Sequence, residues 1–249
     1  MTGPSSLTIN DATSGHVGVH LTTKLSGTNL DADDQVRFVS SSTTCGLTGA
    51  STHVGLQGTL AASDGGSDSA TFRSWTASGI YFDTPGDYKA CYCPKAGASG
   101  TCDSDAEFNV EVLAFTISGP TSATINGDDA LSTATVAVPF TSKMSGTGLS
   151  ANDKFRIVAS TTTCGSSPAG THLNIVGTLE TADSASATVN TWSGAVYFDF
   201  PGDYVVCYCT STTGTDGTCD SDSEFNVQIG STFSVDGVSG IRIQGKTDL

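Results

Sequence analysis

The stretch YFDTPGDYKACYC, beginning at Tyr81, returns as YFDFPGDYVVCYC beginning at Tyr197. Three other segments return with it. GTNLDADDQVRFV from Gly27 reappears as GTGLSANDKFRIV from Gly146, Cys45 as Cys164, and TCDSDAEFNVEV from Thr101 as TCDSDSEFNVQI from Thr218. The offset stays between 116 and 119 residues. A chain of 249 residues with this self-similarity reads as two copies of one module, at residues 1–114 and 115–231. Residues 232–249 are left over. Their FSVDGVSGIRI, from Phe233, matches the FTISGPTSATI from Phe115 that opens the second module. This tail reads as the first strand of a third repeat, cut from a longer array, or as a donor strand that completes a neighbouring molecule's sheet.

Helical periodicity is scarce. Short alternating apolar runs sit between Gly, Ser, Asp and Pro clusters, which is the pattern of strands joined by turns. The first module has runs near Leu7–Asn10, Val17–Thr22, Gln35–Ser41, Val54–Leu60, Ala70–Trp75, Asp87–Cys93 and Glu107–Leu113. The second repeats them near Thr121–Asn126, Thr133–Phe140, Lys154–Ser160, Leu173–Thr178, Ala187–Trp192, Asp203–Cys209 and Glu224–Ile229. About seven short strands in each module predict an all-β chain of two tandem sandwiches.

Charge and composition narrow the partners. There are 10 Lys+Arg against 25 Asp+Glu, a formal charge of −15, and no basic cluster. Nucleic acid is excluded, because phosphate binding needs clustered Lys and Arg. An anionic membrane surface is disfavoured on the same ground, and no apolar run is long enough to insert. Ser and Thr number 70, so hydroxyls rather than charges coat the surface. The opening residues MTGPSSLTIN lack the basic start and apolar run of a secretory leader, so the chain reads as a mature protein or an excised fragment. No N-x-S/T site occurs.

The repeated segments FDTPGDYKACYC and FDFPGDYVVCYC resemble the corner before strand F of immunoglobulin-like domains. There a turn bearing Asp and Gly precedes a Tyr whose hydroxyl ties back to the backbone. The resemblance covers about a dozen residues per module. It implies immunoglobulin-like sandwiches with Tyr88 and Tyr204 as corner tyrosines. Two departures stand out. Trp75 and Trp192 precede strand F instead of lying on strand C. The place two residues after the Tyr, a core Cys in antibody domains, is Ala90 or Val206. The implied fold therefore lacks the antibody-type core disulfide. As a whole the chain is similar to the cysteine-containing tandem β-sandwich repeats of large secreted surface proteins.

The eight cysteines are Cys45, Cys91, Cys93, Cys102, Cys164, Cys207, Cys209 and Cys219. Their even number and repeated spacing predict disulfides in an oxidising compartment, outside the cell. If Tyr88 faces inward, so do Ala90 and Tyr92, and Cys91 and Cys93 face outward as external staples. Residues i and i+2 on a strand stand roughly 6–7 Å apart with parallel side chains, so these two do not bond each other. Three pairings per module are possible. The preferred one joins Cys93 to Cys102 across the loop PKAGASGT, which leaves Cys45 for Cys91. Its counterparts are Cys209–Cys219 and Cys164–Cys207. Zinc sites favour paired C-x₂-C knuckles, which neither module has.

Alternation along CDSDAEF and CDSDSEF places Asp103, Asp105 and Glu107, and likewise Asp220, Asp222 and Glu224, on one strand face. Calcium is the one cofactor such carboxylates suggest; the alternative is a solvated acidic edge that discourages edge-to-edge pairing. Further acids lie at Asp31, Asp33, Asp34, Asp128 and Asp129. The four histidines are His16, His20, His53 and His172, of which His53 and His172 correspond and read as solvated loop residues. There is no G-x-S-x-G elbow, H-E-x-x-H or phosphate loop, so no catalytic residue is assigned. The sequence thus predicts an extracellular structural protein, a building block of a surface layer, rod or filament whose partners are its own copies or neighbouring repeats. The alternative is an adhesive module that binds glycans.

Overall fold

The computed structural model describes residues 3–58, 60, 69–95, 101–126, 134–169, 172–177, 179, 182–193, 196–211 and 218–237. Asp128, Asp129 and the tail beyond Gly237 lie outside the described residues. The chain is all-β. Its strands are β1 Gly3–Ile9, β2 Ser14–His16, β3 His20–Thr28, β4 Gln35–Ser40, β5 Leu56–Gln57, β6 Phe72–Phe82, β7 Gly86–Cys93 and β8 Val110–Ile125. They continue as β9 Ala134–Thr135, β10 Ser142–Thr147, β11 Lys154–Ala159, β12 Ile175–Val176, β13 Ser184–Ala185, β14 Val189–Trp192, β15 Tyr197–Phe198, β16 Gly202–Cys209 and β17 Val227–Asp236. Among the described residues no helix is long and apolar enough to cross a membrane.

The chain divides into two compact units, one built on Met1–Thr121 and the other on most of the remainder. In the first, β1, β3, β6 and β5 form one antiparallel sheet. The facing sheet runs from β4 through β7 to the first part of β8, and β2 joins β8 in parallel. The opening segment thus crosses from one sheet to the other: β1 pairs with β3, and β2 with the last strand. This is the immunoglobulin-like arrangement. The second unit repeats it, with β16 between β11 and β17 and with β9 parallel to β17.

Alternation explains the core. Val36 and Phe38 on β4, Tyr88, Ala90 and Tyr92 on β7, and Phe115 and Ile117 on β8 are all buried. Phe82 packs at 4.9 Å from Tyr88 and 5.6 Å from Phe38, ring centre to ring centre. The Tyr88 hydroxyl donates to the Thr84 carbonyl at 2.8 Å, and the Tyr204 hydroxyl to that of Phe200 at 3.0 Å. These are the corner ties. Gly55 sits at φ +65° against this ring, and a Cβ there would stand 2.3 Å from the Tyr88 hydroxyl. The second unit has Asn174 at the matching place, at φ +55°, and its amide donates to the Tyr204 hydroxyl. Asn is the residue that best tolerates the left-handed region after Gly.

Several strands differ from expectation. The run Val17–Thr22 breaks at Gly18, whose φ of +75° makes the turn between β2 and β3. Val54–Leu60 shrinks to Leu56–Gln57 and Leu173–Thr178 to Ile175–Val176. Glu107–Leu113 fails at its start. Asp105–Glu107 is a 3₁₀ turn, and β8 begins only at Val110. β8 then runs for 16 residues, long enough to end the first unit and open the second. In β17, Phe233 and Val235 pair with Tyr204 and Gly202 of their own unit and are buried there.

Candidate functional site

Both units build a cap over the outer face of strand F, which is β7 in the first unit and β16 in the second. Disulfides join Cys45 to Cys91 and Cys93 to Cys102, with Cα separations of 5.5 and 5.8 Å. Cys164 joins Cys207 and Cys209 joins Cys219 in the second unit. The cysteines do lie on the face opposite the sandwich core, but they are not external. Cys91 and Cys93 are each 0% exposed, in a cluster with Val39, Ala50, Cys102 and Phe108. The matching cluster in the second unit gathers Val158, Ala169, Val205, Cys207, Cys209, Cys219 and Phe225. Strand parity gives the face correctly and says nothing about what covers it. Here the segment after β4 and the turn before β8 fold over the Cys91–Cys93 end of β7, so that stretch of the sheet is covered on both sides.

Arg37 holds this cover down. It lies opposite Cys91 in the β4–β7 register. Its guanidinium stacks 5.0 Å from the centre of the Phe108 ring, and its Nε donates to the Ser51 carbonyl at 3.2 Å. Arg156 repeats the stack over Phe225 at 4.8 Å. A desolvated cation over an aromatic face is attracted by on the order of 2 kcal/mol. The sequence carried the signal, since both repeats place an Arg inside an otherwise apolar strand (VRFV, FRIV).

The carboxylates expected on one strand face do not form one, because the backbone turns there. Glu107 is buried and accepts from the backbone N–H of Cys102, Asp103 and Ser104 and from the Ser104 hydroxyl, at 2.9–3.3 Å. Glu224 makes the same four contacts with Cys219, Asp220 and Ser221. Asp105 reaches across to the cap. It accepts from the N–H of Gly49 and Ser51 and from the Ser51 hydroxyl, which hold its carboxyl below the usual carboxylate range. These side chains do for the backbone what a strand ladder does elsewhere: they satisfy donors that the turn leaves unpaired. Among the described residues, no group of three or more His, Cys, Asp or Glu converges as a metal ion requires. Replacing Glu107 by Gln removes the charge and one acceptor. The first unit is expected to lose about 2 kcal/mol in a denaturant melt, and Glu224→Gln the same in the second. An unchanged midpoint in both variants would mean that these turns hold without their carboxylates.

The histidines are also not solvated loop residues. His53 Nδ1 accepts the Phe38 N–H at 3.0 Å, and His172 Nδ1 the Ile157 N–H at 3.1 Å. Each ring thereby pins the cap segment to strand C, which is β4 in the first unit and β11 in the second. Burial, with the charge of Arg37 second, pulls the His53 pKa down to about 4. A further shared carboxylate was hidden in the acidic run before strand C. Asp34 is buried and accepts from the Tyr92 hydroxyl at 2.6 Å and the N–H of Asp31 and Lys95; Asp153 accepts from Tyr208 and Ser150. Burial, then the Asp34 hydrogen bond, drives the Tyr92 pKa far up. Both groups are structural anchors.

One open cleft of ≈ 790 Å³ lies in the first unit, where β1 begins and β7 ends. Pro4, Asn29, Asp31, Asp34 and Tyr92 help line it. Its walls combine these polar side chains with a larger apolar surface.

No family model matches this chain. No curated protein matches it either. Solved structures align over most of its length at low likeness. The human OSCAR ligand-binding domain shares 14% identity over 92% of this chain and 95% of that chain, at a TM-score of 0.24. The fibronectin(III)-like modules of Clostridium thermocellum CbhA share 9%, over 92% of both chains, at a TM-score of 0.20. Rst D1-D2 shares 12%, over 92% of this chain and 98% of that chain, at a TM-score of 0.24. Likeness of this order says nothing about role.

Proposed function

We propose that this chain is a building block of an extracellular assembly, a tandem array whose modules follow one another as a rod, layer or filament. The observation that carries this reading is the strand β8. Its residues Val110–Ile117 close the sheet of the first unit, and its final residues open the second without a linker between them. Arrays need mainly contacts between nearest neighbours, and modules that follow one another along the chain without spare residues suit such an array. Four disulfides suit an oxidising, extracellular setting.

The two units also differ in a way that fits repetition. In the second, Val138, Val176 and Phe200 flank β15 and are 50%, 39% and 59% exposed. The first unit has buried Val19, then Gln57 and Thr84, at the matching places. Apolar side chains presented together on a surface mark contact sites more often than chance does. Size-exclusion chromatography with light scattering, followed by electron microscopy of the full chain, is expected to show concentration-dependent linear assemblies. Compact monomers at every concentration would refute the array.

A second reading, adhesion to glycans, is favoured by the open cleft beside Asp31 and Tyr92, which sets carboxylate and hydroxyl groups next to apolar surface. A glycan array separates it from the first. Binding that Asn29→Ala and Asp31→Ala abolish would support it.

A further inference from the structure

Two apolar faces of the repeat behave in opposite ways in the two units. The first lies at the start of β8. Val110 is 40% exposed there, whereas its counterpart Val227 is 2% exposed. Val110 pairs with Tyr92 and lines the open cleft together with Pro4 and Pro94. Pro4 and Pro94 are half-buried, and their counterparts Pro120 and Thr210 are buried.

The second face lies along β15. Val138 is 50% exposed where Val19 is 9% exposed, and Val136 is half-buried where Val17 is fully buried. One hydrogen bond fixes the match of positions: the Gly18 N–H donates to the Phe82 carbonyl, and the Ala137 N–H to the Phe198 carbonyl, both at 2.8 Å. The Phe140 N–H donates to the Val196 carbonyl, which sets Val138 beside Tyr197. Tyr197 in turn pairs with Val176. Val138, Tyr197 and Val176 thus form one row across the strands.

Each face is dry in one copy of the repeat and open in the other, and the open copies lie on different units. Open apolar surface of this kind marks a contact site. A contact between two unlike faces is heterologous: it joins copies head to tail and leaves a free face at each end for the next copy. Charge points the same way. The cleft beside Val110 has the exposed Asp31 and the buried Asp34 among its walls. On the second unit, Gly237 lies against the other face, where a Cβ would stand 2.7 Å from Val136 and 3.5 Å from Pro201. Residues 238–249, which follow it, carry Arg242 and Lys246 against one acid, Asp248.

We propose that the Val138–Val176 face of the second unit docks on the Val110 cleft of a second copy's first unit, with the basic segment after Gly237 drawn to Asp31. This rests on the array reading and adds its partner and its polarity. The test uses Val110→Asp and Val138→Asp in the full chain, with light scattering at a concentration where the wild type assembles. Each variant keeps one face and is expected to remain a single chain when alone. Mixed, they are expected to form a one-to-one pair that grows no further, because one intact face of each kind is left to meet. The pair also shows that both variants fold. Hydrogen exchange of the wild-type chain needs no variant. It is expected to slow at residues 109–112 and 136–138 together as concentration rises. If both variants assemble as the wild type does, or exchange slows only elsewhere, these faces are overturned while the array stands, and the cleft is left for a glycan. A wild-type chain that stays monomeric at every concentration overturns both.

Discussion

Replacing Cys45 and Cys91 together by alanine is expected to lower the stability of the first unit by about 4 kcal/mol in oxidising buffer. The figure comes from restored freedom of the unfolded chain. The bond closes a sequence separation of 46 residues, and cross-linking a loop of that size removes roughly 13–14 cal/mol/K of unfolded-state entropy. The Cys93–Cys102 bond closes only 9, so its double alanine variant is expected to lose about 2.5 kcal/mol. Alanine is the right probe because Cys91 and Cys93 are fully buried, and serine would add an unpaired hydroxyl. Urea titrations of both variants give the ranking. A loss below about 1 kcal/mol for the longer bond would mean that the cap is held by Arg37, Asp105 and His53 with little help from the cross-link.

The second large effect is acid sensitivity through His53. Its folded-state pKa is about 4, depressed first by burial and then by Arg37. The unfolded value is the ordinary 6.5. Between these values the unfolded chain takes up a proton that the folded chain refuses, so the linked stability falls as pH drops. It is complete above about pH 7, declines from there to about pH 4, and is flat below. The total is about 3 kcal/mol, from a shift of roughly two and a half units at 1.36 kcal/mol each. The structural cost is visible: a protonated Nδ1 cannot accept the Phe38 N–H, and the imidazolium would lie beside the half-buried Arg37 guanidinium. Denaturant melts at pH 7, 5.5 and 4 for wild type and His53→Gln provide the measurement. The variant is expected to be weaker at pH 7 and to lose less on acidification. Parallel curves would show that His53 titrates normally in the fold.

Much of this molecule was legible because repetition and strand parity are local rules. The repeat marks out the two modules, the PGDY corner places Tyr88 and Tyr204, and the C-x-C spacing on one strand forbids a bond between those two cysteines. What failed were inferences about surroundings. Asp103, Asp105 and Glu107 alternate as a strand would, yet the chain folds there into a capped 3₁₀ turn. Side-chain acceptors three residues from a Ser compete with the ladder, and alternation has no term for that competition. His53 and His172 looked solvated because they stand among Ser and Thr. Only the folding of distant segments over strand F makes them buried acceptors for strand C. The repeat keeps Asp34 alone of its acidic run, as Asp153, but the reason is visible only where Tyr92, 58 residues away in sequence, donates its hydrogen bond.

The sequence alone determined the all-β class, the two modules and the face on which each cysteine lies, because each depends on periods of two along a strand or on recurrence along the chain. The tertiary structure decided that the cysteines on this outer face sit in a second buried cluster and that the shared acids are anchors for turns. Those outcomes depend on which segment covers which face, and that is settled by contacts between residues tens of positions apart.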